Sequence, residues 1–233
     1  MSLFIILGYI LIALVPGLFW LYFYRRKDRK HPEPLKLIVK VFLWGMIITL
    51  PAIGLELAVD YFFPYSQSTN FFVIAVSALL VVAPIEEILK FFVVKEKIYE
   101  NPAFDEPLDG VIYAVVAALG FASLENILVI FSEGPDAIVL RFATATLMHA
   151  ITSGIAGYYL GLLKFGPKQK NFSARQKRNF MIQGLAIAII LHGVYNIIAS
   201  TRTALTISLI AMIIIVMYFM LARSIKELKK IKN

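Results

Sequence analysis

Apolar residues fall into seven blocks along the chain, separated by short polar clusters. A hydrocarbon core of roughly 30 Å is crossed by about 20 residues rising 1.5 Å each, so every block predicts one transmembrane helix. The expected spans are 3–24, about 37 or 41 to 59, 71–94, about 110–131, 137 to about 163, 180–200, and a last one from beyond 203 to 222. Arg25, Arg26, Lys27, Arg29 and Lys30 stop the first, and Pro32 and Pro34 delay the second. Ser132-Glu133-Gly134-Pro135-Asp136 reads as a tight turn between the fourth and fifth. Pro51 and Gly54 are expected kink points in the second span, and Gly154, Gly157 and Gly161 suit close helix approach in the fifth.

Composition agrees with this pattern. A chain of 233 residues, 60% hydrophobic and 16% charged, with mean hydropathy +0.79, lies outside the range of soluble domains. The fold class is therefore all-α, a polytopic membrane helix bundle. The net charge of +8 does not point to nucleic acid, because the basic residues sit between apolar blocks and form no basic face. Of the 23 Lys and Arg, twenty occupy the first, third and fifth loops and the C-terminal tail; Arg202 alone lies in the alternate loops. The positive-inside rule then places the N-terminus outside and the C-terminus in the cytoplasm. The loops are too short for a soluble domain, so residues 1–233 read as a single integral membrane domain, with the motif-bearing part at about 71–200. The first block lacks a basic leader and a cleavage site, and is expected to be retained. No cysteine is present, which excludes thiolate ligands and a cysteine nucleophile.

Against this background the ionisable groups inside the spans stand out: Glu56, Glu86, Glu87, Lys90, Glu125, Arg141, His149 and His192. A charge near the bilayer centre costs roughly 2.5–3.5 kcal/mol on insertion scales, so such groups face a protein interior or a wet cavity. Glu56 lies a turn from an outer helix end and is expected to reach headgroup water. Lys90 follows Glu86 by four residues and Glu87 by three, within ion-pair reach. Neighbours on a helix point about 100° apart, so one Glu is expected to face a cavity while the other is held. Asn126 and Asn196 suit either helix association or the site. The formal charges of the groups in the third to sixth spans are three negative against two positive with neutral His, so a shared site must hold a proton or a cation, or tolerate one net charge. The expected boundaries place Glu86 and Glu125 roughly 12 Å apart along the membrane normal, which resists a single pocket.

Three chemistries fit these residues. A carboxylate can act as general base on water while His and Asn stabilise an oxyanion. His149, His192 and a Glu can bind zinc, with another Glu as base; the candidate ligands are Glu87, Glu125, His149 and His192. The Glu pair can also serve a transporter as a proton or cation relay. No HExxH or GxGD motif occurs, and Ser77, Ser123 and Ser153 lie in no GxS motif, which makes a serine site the weaker reading.

Glu86-Glu87-x-x-Lys90, Phe121-x-x-x-Glu125-Asn126, Arg141 with His149 eight residues on, and His192-x-x-x-Asn196 closely resemble the motifs of the PrsW family of intramembrane proteases. That family is related to the CAAX prenyl proteases and to the Aph subunit of gamma-secretase. The resemblance implies a multi-pass protease of the bacterial plasma membrane that makes the first, site-1 cleavage of a single-pass substrate, a membrane-anchored anti-sigma factor, in a stress response. It implies Glu86, Glu87 and His192 as essential, with Glu125, His149 and Asn196 completing the site and Lys90, Arg141 and Asn126 in support. Lys90 replaces the arginine of EExxxR one position earlier, and Glu125 replaces the histidine of FxxxH; both differences set the chain apart from the CAAX branch. The third carboxylate favours cation binding. A transporter, and a non-catalytic scaffold like the Aph relative, remain alternatives at this point.

Overall fold

The computed structural model describes residues 2–28, 31–201 and 203–231. Arg29, Lys30, Arg202 and Lys232, counted above among the loop and tail bases, lie outside them. Seven stretches are long and apolar enough to cross a membrane, and no strand occurs among the described residues.

Helix α1 is Leu3–Arg25 and α2 is Leu35–Phe62, which starts directly after Pro34 and runs unbroken through Pro51. The third span, Phe71–Lys97, has three parts: α3 (Phe71–Ser77), a π-helical turn (Ala78–Val82) and α4 (Ala83–Lys97). Asn70 caps it by accepting the N–H of Phe72. The π turn lies where the sequence demands an adjustment, because Pro84 has no N–H for the ladder; Ala83 donates instead to Ala78, five residues back. One extra residue in a turn rotates everything after it by about 100°. That rotation sets which faces Glu86, Glu87 and Lys90 present.

Helix α5 (Asp109–Glu133) ends at Gly134, whose φ of 88° only glycine adopts readily. The fifth span is broken rather than continuous. α6 (Asp136–Ala143) stops at Thr144, with φ −116° and ψ −93°, and α7 (Ala145–Phe165) follows. α8 (Ala174–Ser200) begins in a capping box of Ser173 and Gln176, which draws Arg175, Lys177 and Arg178 of the expected loop into the helix. α9 (Thr206–Leu228) runs past the expected end at 222.

α5 is the centre of the bundle, in contact with α1, α2, α4, α6 and α7. Every side chain from 109 to 123 is buried. Small residues make this possible: a Cβ on Gly157 of α7 would stand 2.1 Å from the Gly110 carbonyl, and one on Gly120 would stand 2.0 Å from the Phe42 carbonyl of α2. Close backbone approach of this kind is the usual route to helix association in lipid, where burial of apolar side chains gives little drive. The outward faces carry Phe4, Leu11, Leu57 and Phe219, all exposed to the apolar surroundings.

Candidate active site

The ionisable groups of α4, α5, α6, α7 and α8 meet in one hydrogen-bonded cluster. At its centre is Lys90, whose side chain is 0% exposed. Its ammonium donates to Glu87 Oε1 at 2.6 Å, to Glu86 Oε2 at 3.3 Å and to His149 Nδ1 at 3.0 Å, and lies 4.7 Å from the centre of the Phe121 ring.

Glu87 is fully occupied. Its Oε1 also accepts from Thr152 at 3.1 Å and from His192 Nδ1 at 2.9 Å, and its Oε2 accepts from Ser153 at 2.9 Å. Thr152 and Ser153 follow His149 by three and four residues and so share its side of α7. Sequence reasoning passed over Thr152 and weighed Ser153 only as a nucleophile; helical spacing from His149 was the available signal.

Glu125 holds the other imidazole. His149 Nε2 lies 2.9 Å from Glu125 Oε2, which also accepts from Arg141 at 3.0 Å. Arg141 continues to Asn126 Oδ1 at 2.6 Å, and Asn126 Nδ2 reaches Thr146 at 3.1 Å. In an unbroken helix Arg141 and His149 would be separated by a rise of roughly 12 Å. The break at Thr144 is what lets both address one oxygen of Glu125.

These contacts fix the tautomers. Lys90 has only protons to give, so Nδ1 of His149 accepts and Nε2–H donates to Glu125. His192 donates Nδ1–H to Glu87, which leaves Nε2 with its lone pair. Both nitrogens lie near Glu86: its Oε2 is 3.7 Å from His149 Nδ1, whose lone pair accepts from Lys90, and 3.9 Å from His192 Nε2. Among the described residues, Glu86, His149 and His192 form a buried set whose ligand atoms all lie within 4.8 Å of one another.

The structure thus brings together Glu86, Glu87, Lys90, Glu125, Asn126, Arg141, His149 and His192. Asn196 is half-buried one turn beyond His192 and makes no hydrogen bond to the cluster among the described residues. The set converging around the lone pairs contains Glu86, where the sequence suggested Glu87 and Glu125; these two instead bind the far nitrogens of the imidazoles. The depth gap expected between Glu86 and Glu125 is absent, since both approach the same His149 ring. Glu56, expected to serve headgroup water, is half-buried within electrostatic reach of Glu125 and Lys90.

Residues 33–222 match the family model described as PrsW family intramembrane metalloprotease. The chain is 32% identical over 186 residues to the Protease PrsW of Geobacillus kaustophilus, covering 79% of this chain and 76% of the relative. It is 34% identical over 197 residues to the Protease PrsW of Oceanobacillus iheyensis, covering 84% and 85%. To the Protease PrsW of Bacillus subtilis it is 29% identical over 186 residues, covering 80% of each. No solved structure matches the chain. A match spanning most of the seven-helix bundle, and the whole buried cluster with it, means that the chain belongs to the PrsW family of intramembrane metalloproteases, multi-pass membrane peptidases.

Proposed function

We propose that the chain cleaves a single-pass membrane protein, such as a membrane-anchored anti-sigma factor, at a zinc site formed by Glu86, His149 and His192. One observation carries the reading: two imidazole nitrogens and one carboxylate oxygen converge in a buried cluster, within 4.8 Å of one another. The donor set fits the ion, since nitrogen and carboxylate oxygen are the ligands zinc takes from His and Glu. The Lys90 ammonium lies against two of the three donors at 3.0 and 3.3 Å, and would have to withdraw from His149 Nδ1 for that nitrogen to ligate the ion. Zinc held there would acidify a water molecule and polarise the scissile carbonyl.

The chain's own residues divide the remaining work. Glu87 and Glu125 each take the far N–H of one imidazole, which orients the ring and raises its basicity as a ligand. Glu125 has a side chain 23% exposed, against 6% for Glu86 and 1% for Glu87. It is the least enclosed of the three carboxylates and, in this reading, the base that takes a proton from the attacking water and returns it to the leaving nitrogen. Arg141 and Asn126 hold Glu125 at this position. Asn196 supplies an amide for the developing oxyanion.

The position of Lys90 favours a second reading, in which the cluster is complete without a metal and a glutamate alone activates water. The transporter and scaffold alternatives give way to a peptidase with family membership. In this reading residues 1–233 form one integral membrane domain, N-terminus outside and C-terminus cytoplasmic.

The deciding experiment uses the purified chain in proteoliposomes with a single-pass anti-sigma substrate and elemental analysis in parallel. The zinc reading expects about one zinc per chain, cleavage lost on chelation and regained with zinc, and loss of both metal and cleavage in Glu86→Gln and His192→Ala. Full cleavage by metal-free protein assigns the glutamate mechanism. Full cleavage by His192→Ala overturns the site.

A further inference from the structure

A second acidic cluster lies where α1 ends and α5 begins, and the peptidase site does not use it. Asp28 follows α1, Glu33 precedes α2, and Glu106 and Asp109 lead into α5. Asp28 and Glu33 are each 4% exposed and Asp109 0%. Oxygens of Asp28, Glu106 and Asp109 lie within 4.8 Å of one another.

The hydrogen bonds show what these carboxylates lack. Asp109 Oδ2 accepts the backbone N–H groups of Asp105 and Glu106 at 2.9 and 2.7 Å, which anchors the carboxylate, while its Oδ1 is buried without a partner. Asp28 Oδ1 accepts the N–H of His31 at 3.4 Å, its carboxyl lies against that of Glu106, and its Oδ2 is buried with no donor among the described residues. Glu33 accepts from the Tyr113 hydroxyl. Among the described residues, two nearby cations are directed to backbone: Arg25 donates to the carbonyl of Glu33 at 3.3 Å, and Lys229 to that of Lys27 at 2.5 Å. Among the described residues, no Lys or Arg forms an ion pair with any of the four acids. Two buried carboxyl oxygens, from segments about eighty residues apart in sequence, thus have no donor from the backbone, Lys or Arg among the described residues, and Asp28 and Asp109 lie against the carboxyls of Glu106 and Glu33.

We propose that Asp28, Glu106 and Asp109 bind a hard divalent cation, Mg²⁺ or Ca²⁺, with Glu33 behind them, as a clip between the end of α1 and the head of α5. Oxygen-only ligands select these ions and separate this site from the nitrogen-bearing set around Glu86. The clip secures the loop at 98–108 and the N-terminal end of the bundle's central helix.

The test uses the full chain, purified in detergent and stripped with chelator. Added Mg²⁺ or Ca²⁺ is expected to raise the thermal midpoint by roughly 5–10 °C at a hundredfold excess over its dissociation constant. Tb³⁺ is expected to luminesce on tyrosine excitation, with Tyr113 one hydrogen bond from Glu33. Asp28→Asn and Glu106→Gln are each expected to weaken binding at least tenfold, while His192→Ala leaves it unchanged. Both substitutions spare the Asp109 contacts that hold the loop. Absence of a cation-dependent midpoint and of Tb³⁺ emission in the wild-type chain overturns the proposal. So does a response in Asp28→Asn and Glu106→Gln equal to wild type, and the cluster is then a set of carboxyls sharing protons.

Discussion

The ammonium of Lys90 lies 3.0 Å from Nδ1 of His149, on the side of the imidazole that faces Glu86. A cation that only donates forces the ring into one tautomer, with Nε2–H toward Glu125. The same lysine neutralises Glu87, which sets the tautomer of His192. One buried charge therefore orders both imidazoles.

Glu87→Gln keeps the shape of the side chain but removes the charge that receives His192 Nδ1–H, Lys90, Thr152 and Ser153. Loss of a carboxylate partner behind a metal-binding histidine lowers metal affinity or activity by about 10–100-fold. The cleavage rate or the zinc affinity of the purified variant is expected to fall by that factor. A variant with unchanged values would remove Glu87 from any positioning role.

Arg141→Ala leaves Glu125 without its guanidinium and Asn126 without its donor partner. Turnover is expected to drop about tenfold or more, in line with a general-base contribution, while zinc content stays near wild type. Arg141→Lys is expected to recover only part of it, because one ammonium cannot replace the two-pronged contact. Steady-state kinetics on a single substrate separate these outcomes.

Thr152→Val with Ser153→Ala deletes two hydroxyl donors to a buried carboxylate. Hydrogen bonds to charged groups are worth about 1.5–3 kcal/mol each, so the pair is expected to lower both stability and activity. Thermal midpoint and cleavage rate measured together check it; a loss of neither would show that water replaces the hydroxyls.

Gly157→Val places a branched side chain where even a Cβ would stand 2.1 Å from the Gly110 carbonyl. Backbone cannot yield as a side-chain tip does, and a destabilisation of about 3 kcal/mol or more is expected. Gly54→Val meets nothing within 4 Å and serves as the control, with a midpoint near wild type.

The cysteine-free chain suits topology mapping with single introduced cysteines. An impermeant maleimide added to intact cells is expected to label Ser66→Cys, and to label Lys168→Cys only after permeabilisation. The reverse pattern would invert the orientation inferred from the basic loops.

Much was legible in one dimension. Bilayer thickness fixes how long an apolar run must be, so seven spans could be counted without knowing how they pack. A charge in such a run is expensive wherever it points, so Glu86, Glu87, Lys90, Glu125, Arg141, His149 and His192 declared themselves by residue type alone. What each does depended on direction, which the chain order does not carry. The π turn before Pro84 sets the phase of α4 and presents Glu86, rather than Glu87, to the two lone pairs. The break at Thr144 brings Arg141 and His149 onto one oxygen. The pairing of Asp28 with Asp109 needed the end of α1 folded against the start of α5. Span length and burial cost are local and accumulate along the sequence; the meeting of side chains from five helices depends on helix phase and crossing, which only packing around α5 decides.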